Sequence, residues 1–442
     1  MEFKLKPVIV VGPMWPLIPQ PDGSLQLSTD EESITSTITG IDAQIREHLE
    51  SQSSLLETLV IRQEEDIESL EESGTDADAL FVYIAGLMES LEGILDLSVP
   101  TITFSGEYTP MMGLYAFPVE EREARENLNF CLDYEEVKTQ IRMLLVKKQI
   151  TSARIIHIGL PATLDGHWEH VPDPDKLKEK LGMEVIPVTS AEFISQVGEI
   201  DESMIADLVQ SWLSGASEVD GPSTEEVNQV AKVYLAIDGC LKSTGANAVA
   251  VGCLQLMYMG GLVPHCFALS QLRDRGIPAA CESDISALVT MIMLGYLANK
   301  PAYMGNVARA DPSSNIIMIS HGCTPSRMAG LDQSPSPYKL VHSYSGQFFT
   351  GSGLTSLPVI ETGQEVTVAR ISRNLDKLSA TTGTITGFRE TFLDRGTMDI
   401  RIGDVRRFFH NAPGNHHVVV YGNHIEQLRH LCQLLDIRLV ES

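Results

Sequence analysis

The chain has 442 residues, about three times a common domain length, with 43% hydrophobic and 21% charged residues, so a peptide or a single small module is excluded. Its 59 Asp and Glu against 32 Lys and Arg leave a net charge of −27, which repels phosphate backbones and anionic lipid and argues against nucleic-acid or membrane partners. No apolar run reaches the roughly 18 residues of a membrane span, and the opening MEFKLKPVIVVGP lacks a long apolar stretch with a small-residue cleavage site, so a cytoplasmic protein is expected.

In chain order, Val8 to Val11 reads as a buried strand. Glu31 to Leu59 holds helix-forming residues, with Ile34, Ile38, Ile41, Ile45 and Leu49 spaced three and four apart as on one helix face. Ala79 to Ala85 and Thr101 to Phe104 read as short strands, and Tyr134 to Val146 as a helix. These elements make a first α/β domain, 1–150. A second alternation runs through the strand Ala153 to Ile158, the helix-like DKLKEKLG, the strand EVIPVT, a helix from Glu225 to Lys242, the strand Ala248 to Val251 and a helix from Phe267 to Arg275. Strands separated by helices imply parallel pairing, with ligand sites at their carboxyl ends. This is the central α/β domain, 151–300. From residue 301 to 442 the pattern changes to short strands with Gly, Ser and Pro turns: IIMIS, KLVHSY, PVIET, EVTVARI, GTITGF, TMDIRI and HHVVVYG. That pattern predicts a β-rich, barrel-like C-terminal domain, closed by a helix from Ile425 to Leu435.

The seven cysteines are odd in number and form no CxxC pair, so they read as reduced, buried, small apolar residues rather than as a disulfide framework or a structural zinc site. Walker, GxGxxG, GxSxG and HExxH motifs are absent. What remains is polar groups at strand ends. Glu282 lies where a short apolar run passes into a helix, a position that suits a metal-binding or proton-moving carboxylate, and equally a surface acid at a helix N-terminus. Asp284, just before ISALVTMIML, reads as a helix N-cap. Asp311 reads as the turn former in the hairpin GNVARADPSSNIIMISHG, which ends in His321, either a packed histidine or a polar partner near a metal or a sugar. In His416-His417, adjacent strand residues point to opposite faces, so one ring at most faces a site inside the barrel. A loop carrying Asp165, His167, Trp168, Glu169 and His170 reads as a surface loop with one anchoring Trp, or as a stacking surface for a sugar.

The segments PHCFALSQLRDRGIPAACESD, SALVTMIMLGYL, ADPSSNIIMISHG and GNHHVVVYG, in that order, resemble the L-fucose/L-arabinose isomerase superfamily, in its shorter fucose-isomerase-like branch. The resemblance spans roughly residues 150 to 442. It implies two parallel-sheet α/β domains followed by a β-rich domain, a small-molecule sugar substrate, a homo-oligomer (trimer or hexamer), and aldose–ketose isomerisation through an enediol assisted by Mn²⁺ or another divalent metal. By position, Glu282 matches the carboxylate ligand and base, and His417, with His416 as the alternative, the C-terminal histidine ligand. Asn306 stands where the family carries a second acid. It can ligate but cannot accept a proton, which leaves the proton to Glu282 alone or to Asp284 or His321. Two further readings stay open: a metal-free sugar-binding relative, and a glycoside hydrolase or lyase using Glu282 with Asp284.

Overall fold

The computed structural model describes the chain except for residues 1, 12–16, 20–24, 28–30, 64, 74–75, 87–91, 96–97, 107–127, 161–170, 344–351 and 392–394. It divides into two compact units, Met1–Val146 and Lys147–Ser442. In the first, apolar runs pair into one parallel sheet in the order Ser54–Leu55, Lys4–Val10, Ala79–Ile84, Thr101–Phe104, Leu128–Cys131, with Leu59–Ile61 also on Lys4–Val10. The strand Lys4–Val10 is buried along nearly all its length, as expected of a parallel strand covered on both faces. The helix predicted from Glu31 runs only to Leu49. The three-and-four spacing of apolar residues ends there, and the serines that follow lead into short strands.

The second unit begins with a four-stranded parallel sheet in the order Glu184–Thr189, Arg154–Leu160, Ala248–Val251, Ala279–Ala280. Local signals set its helix boundaries. Asp173 caps Pro174–Leu181, which ends at Gly182 in the left-handed conformation, and Thr189 with Glu192 and Ser223 with Glu226 form capping boxes for Ser190–Gly198 and Thr224–Thr244. The helix Ile285–Ala298 is apolar and almost entirely buried, so it must be covered on all sides. It packs on the parallel sheet and also on the strands Glu365–Ile371 and His416–Tyr421.

Those two strands belong to a closed, six-stranded antiparallel barrel. Its order is Glu365–Ile371, His416–Tyr421, Tyr303–Asp311, Ile316–Ser320, Thr397–Ile402, Lys377–Arg389, and the last pairs back onto the first. Closure removes the exposed edges that so many short strands would otherwise present. The parallel-sheet plus barrel-like class read from the sequence is therefore what the chain adopts. Alternate residues (Val366, Val368, Ile317, Ile319, Met398, Ile400 and Val419) fill one apolar core with Tyr303 and Phe408. KLVHSY lies outside the barrel: Tyr338–Val341 joins Glu218–Asp220 and Thr355–Pro358 in a separate small sheet. PVIET contributes only its first residue to that last strand, because strand pairing ends at Pro358.

Candidate metal centre

The turn after Ala279–Ala280 is where the parallel sheet meets the barrel's outer face. Glu282 and Ser283 both take positive φ (56° and 55°), which non-glycine residues adopt only when surrounding contacts over-determine them. Here Ser283 N–H donates to the carbonyl of Val251 (3.0 Å) and Asp284 N–H to that of Cys281 (3.2 Å). This tight turn fixes Glu282 ahead of the buried helix. Asp284 is the N-cap expected of it, accepting from Ala287 N–H at 2.7 Å.

The carboxylate of Asp284 does more than cap. Arg370, from the barrel strand Glu365–Ile371, donates to it through Nη1 (2.9 Å) and Nη2 (3.3 Å), and both side chains are at most 1% exposed. His416 Nδ1 lies 2.8 Å from the same carboxylate, and Arg370 Nη1 also donates to the His416 carbonyl at 2.7 Å. With Nδ1 engaged by a carboxylate, the ring of His416 is fixed in orientation and its Nε2 faces Glu282 at 3.4 Å. His321, just past the strand Ile316–Ser320, brings its Nε2 to 3.7 Å from the other oxygen of Glu282. One ligand atom each from Glu282, His321 and His416 lies within 4.8 Å of the other two.

Of the two adjacent histidines, His416 rather than the preferred His417 meets Glu282, and the meeting point is outside the barrel, not inside it. Strand alternation is the reason. His417 shares the face of Val419, which belongs to the apolar barrel core, and its ring packs on Phe408 with Nδ1 3.0 Å from the carbonyl of Asn415. Burial pulls His417 down to about 3, so it stays neutral. For His416, burial lowers the value, but the hydrogen bonds to Asp284 and Glu282 outweigh it and hold the ring at about 9. Asn306 is the cross-strand neighbour of His416 and so shares its face, with its amide oxygen accepting from Asn415. Asp311 forms the hairpin turn, accepting from Ser313 and Ser314.

A glycosidase-type pair of Glu282 with Asp284 does not fit, since Asp284 is committed to Arg370, His416 and the helix N-terminus. The loop with Asp165, His167, Trp168, Glu169 and His170 lies outside the described residues. Arg370 was not singled out in the sequence, because EVTVARI reads as an ordinary strand and pattern alone does not show that its charge is buried. The signal lay in its pairing across the fold with Asp284.

No family model matches the chain. Curated proteins named sulfoquinovose isomerase are similar to it. The one from Clostridium sp. (strain MSTE9) is 22% identical over 146 residues, 33% of either chain. Those from Priestia aryabhattai and Priestia megaterium (strain ATCC 12872 / QMB1551) are each 23% identical over 195 residues, 42% of either chain. The likeness is thus to sugar isomerases of the L-fucose/L-arabinose isomerase-like superfamily, as the sequence motifs led one to expect. The matched part spans only a third to two-fifths of the length of these relatives. Among the described residues, no helix is long and apolar enough to cross a membrane.

The donor set fits a divalent cation. Two imidazoles and a carboxylate suit Mn²⁺, Fe²⁺, Co²⁺ or Zn²⁺ better than Mg²⁺ or Ca²⁺, which prefer all-oxygen shells. The Asp284–His416 bond is the outer support that metal-binding histidines ordinarily have.

Proposed function

We propose that this protein is an aldose–ketose isomerase acting on a hexose or pentose, with a divalent cation, Mn²⁺ in the first instance, held by Glu282, His416 and His321. The observation that carries this reading is the convergence of Glu282 from the parallel sheet's carboxyl edge with His416 from the barrel, backed by the likeness to sulfoquinovose isomerases. When bound, such a cation supplies Lewis-acid polarisation of neighbouring carbonyl and hydroxyl oxygens. Arg370 holds Asp284, Asp284 holds the His416 ring, and Glu282 takes the proton from C2 of the open-chain sugar and returns it to C1, while the O2 hydroxyl proton passes to O1. Asn306, beside His416, offers a hydrogen bond but no base. One carboxylate therefore performs both transfers on one face of the enediol. An oligomer, with trimer or hexamer as the first states to test by sedimentation, goes with the same reading.

The test uses purified protein and Mn²⁺ with a panel of pentoses and hexoses that includes sulfoquinovose, followed by NMR in deuterated water. Exchange or conversion at C2 that disappears in Glu282→Gln, together with loss of stoichiometric metal in that variant, supports the proposal. Unchanged metal binding in Glu282→Gln rejects the site. The second reading, a metal-free sugar-binding protein, is favoured by a different observation: Asn306, a neutral amide, stands on the face of His416 where the resembling family carries an acid. Thermal stabilisation by a sugar that EDTA leaves unaltered, with no C2 exchange, selects that reading.

A further inference from the structure

Four of the seven cysteines, distant in sequence, gather beside the centre just described. Cys253 opens the helix after the strand Ala248–Val251, Cys281 follows Ala279–Ala280, Cys266 opens the helix Cys266–Asp274, and Cys323 lies two residues past His321. All four are buried and none is in a disulfide. The Cys253 and Cys281 sulfurs are 2.9 Å apart. The neighbours of the Cys323 thiol are Cys266, Cys281 and His321. Ligand atoms of Cys281, His321 and Cys323 lie within 4.8 Å of one another, and His321 is the same residue that faces Glu282.

We propose that Cys281, Cys323 and His321 form a second cation site, selective for a thiophilic divalent ion of the Zn²⁺ or Cd²⁺ class, and that occupancy of this site withdraws His321 from Glu282 and His416. Ligand chemistry sets the selectivity: two polarisable thiolates and an imidazole are a soft donor set, whereas the neighbouring cluster offers a hard carboxylate. Charge agrees with it. Two thiolates around a divalent ion sum to zero, which makes the site cheap to bury, while a lone thiolate among these apolar walls is costly. Competition follows from the ring of His321. Its Nδ1 lies 3.0 Å from Gly322 N and its Nε2 3.7 Å from Glu282. A neutral imidazole carries a single ligating lone pair, so the ring serves one cation at a time.

The probe is Cd²⁺ titrated into the reduced protein, read by the near-ultraviolet thiolate-to-cadmium absorption. One equivalent should develop the band. Cys281→Ser and Cys323→Ser should each weaken Cd²⁺ binding by more than about tenfold. Cys131→Ser and Cys432→Ser, whose cysteines lie elsewhere, and Glu282→Gln should keep the band. Should either cluster variant fail to fold, as judged by circular dichroism, His321→Gln with its thiols intact takes its place and should show the same weakening. The band's absence, or its persistence in the cluster variants, overturns the site. A second arm follows bound Mn²⁺ by electron paramagnetic resonance: Cd²⁺ should release Mn²⁺ from the parent protein but not from Cys323→Ala. Simultaneous tight binding of both ions overturns the competition. Only this second arm rests on the proposed Glu282–His416 centre, so failure of that centre leaves the absorption result standing.

Discussion

Asp284→Asn isolates the buried network behind the candidate centre. Asparagine keeps the shape and an oxygen for the cap bond to Ala287, so the cap itself loses little. What disappears is the charge facing Arg370 at 2.9 Å and His416 at 2.8 Å, in a place where Asp284 is fully buried. Removing one member of a buried ion pair costs about 3–5 kcal/mol because the other charge stays uncompensated. The Asn side chain still accepts from Arg370, which puts the expected loss near the lower end, about 3 kcal/mol. Asp284→Ala should add about 1 kcal/mol for the lost cap. Arg370→Met should cost less than Asp284→Asn, since the carboxylate retains His416 as a cationic partner. The double variant should then lie well short of the sum, with a coupling of about 1–3 kcal/mol. Equilibrium urea denaturation of the four proteins, followed by circular dichroism, measures this as a shift of roughly 1 M in the midpoint for Asp284→Asn. The same substitution should weaken divalent-metal affinity by about 10- to 100-fold, because it frees the His416 ring. Strictly additive losses, or an Asp284→Asn protein as stable as the parent, would refute the network.

His157, buried in the strand Arg154–Leu160, is lowered to about 4 by burial. The unfolded chain takes up its proton near pH 6.5 while the folded one refuses it, so the stability tied to neutral His157 is complete above pH 6.5 and falls away toward pH 4, by about 3 kcal/mol. His157→Gln should flatten the stability profile over that window, and an unchanged slope would count against the assignment. Gly353 has φ +75° and a Cβ there would sit 2.2 Å from the carbonyl oxygen of Pro264, whereas Gly363, at φ +89°, faces open space. Gly353→Ala should therefore cost more than about 2 kcal/mol and Gly363→Ala about 1 kcal/mol, as read from urea midpoints. Equal losses would show that the backbone angle, not the clash, governs.

Much of this architecture is legible in the residues themselves. Ala248–Val251 and Glu365–Ile371 form over the segments read as strands, because short β-branched runs between turn residues leave few alternatives. Asp-Pro-Ser-Ser-Asn likewise specifies a hairpin by itself. The choice between His416 and His417 was not legible. It depends on which face of the strand fills the barrel, and that follows from closure with one partner strand about 50 and another more than 100 residues earlier in sequence. Arg370 was hidden for the same reason: its meaning lies in Asp284, 86 residues earlier. The cysteines were read as buried and unbridged, and they are, but their lack of CxxC spacing concealed a cluster assembled from three strand ends and the start of a helix.

One consequence of Asp284 reaches beyond the site. It starts a buried helix in the α/β layer and at the same time anchors residues from two barrel strands, Arg370 and His416. A chain whose barrel has not yet closed thus has neither a neutralised acid at its helix entrance nor an oriented imidazole above it. Barrel closure and assembly of the candidate centre therefore become one event.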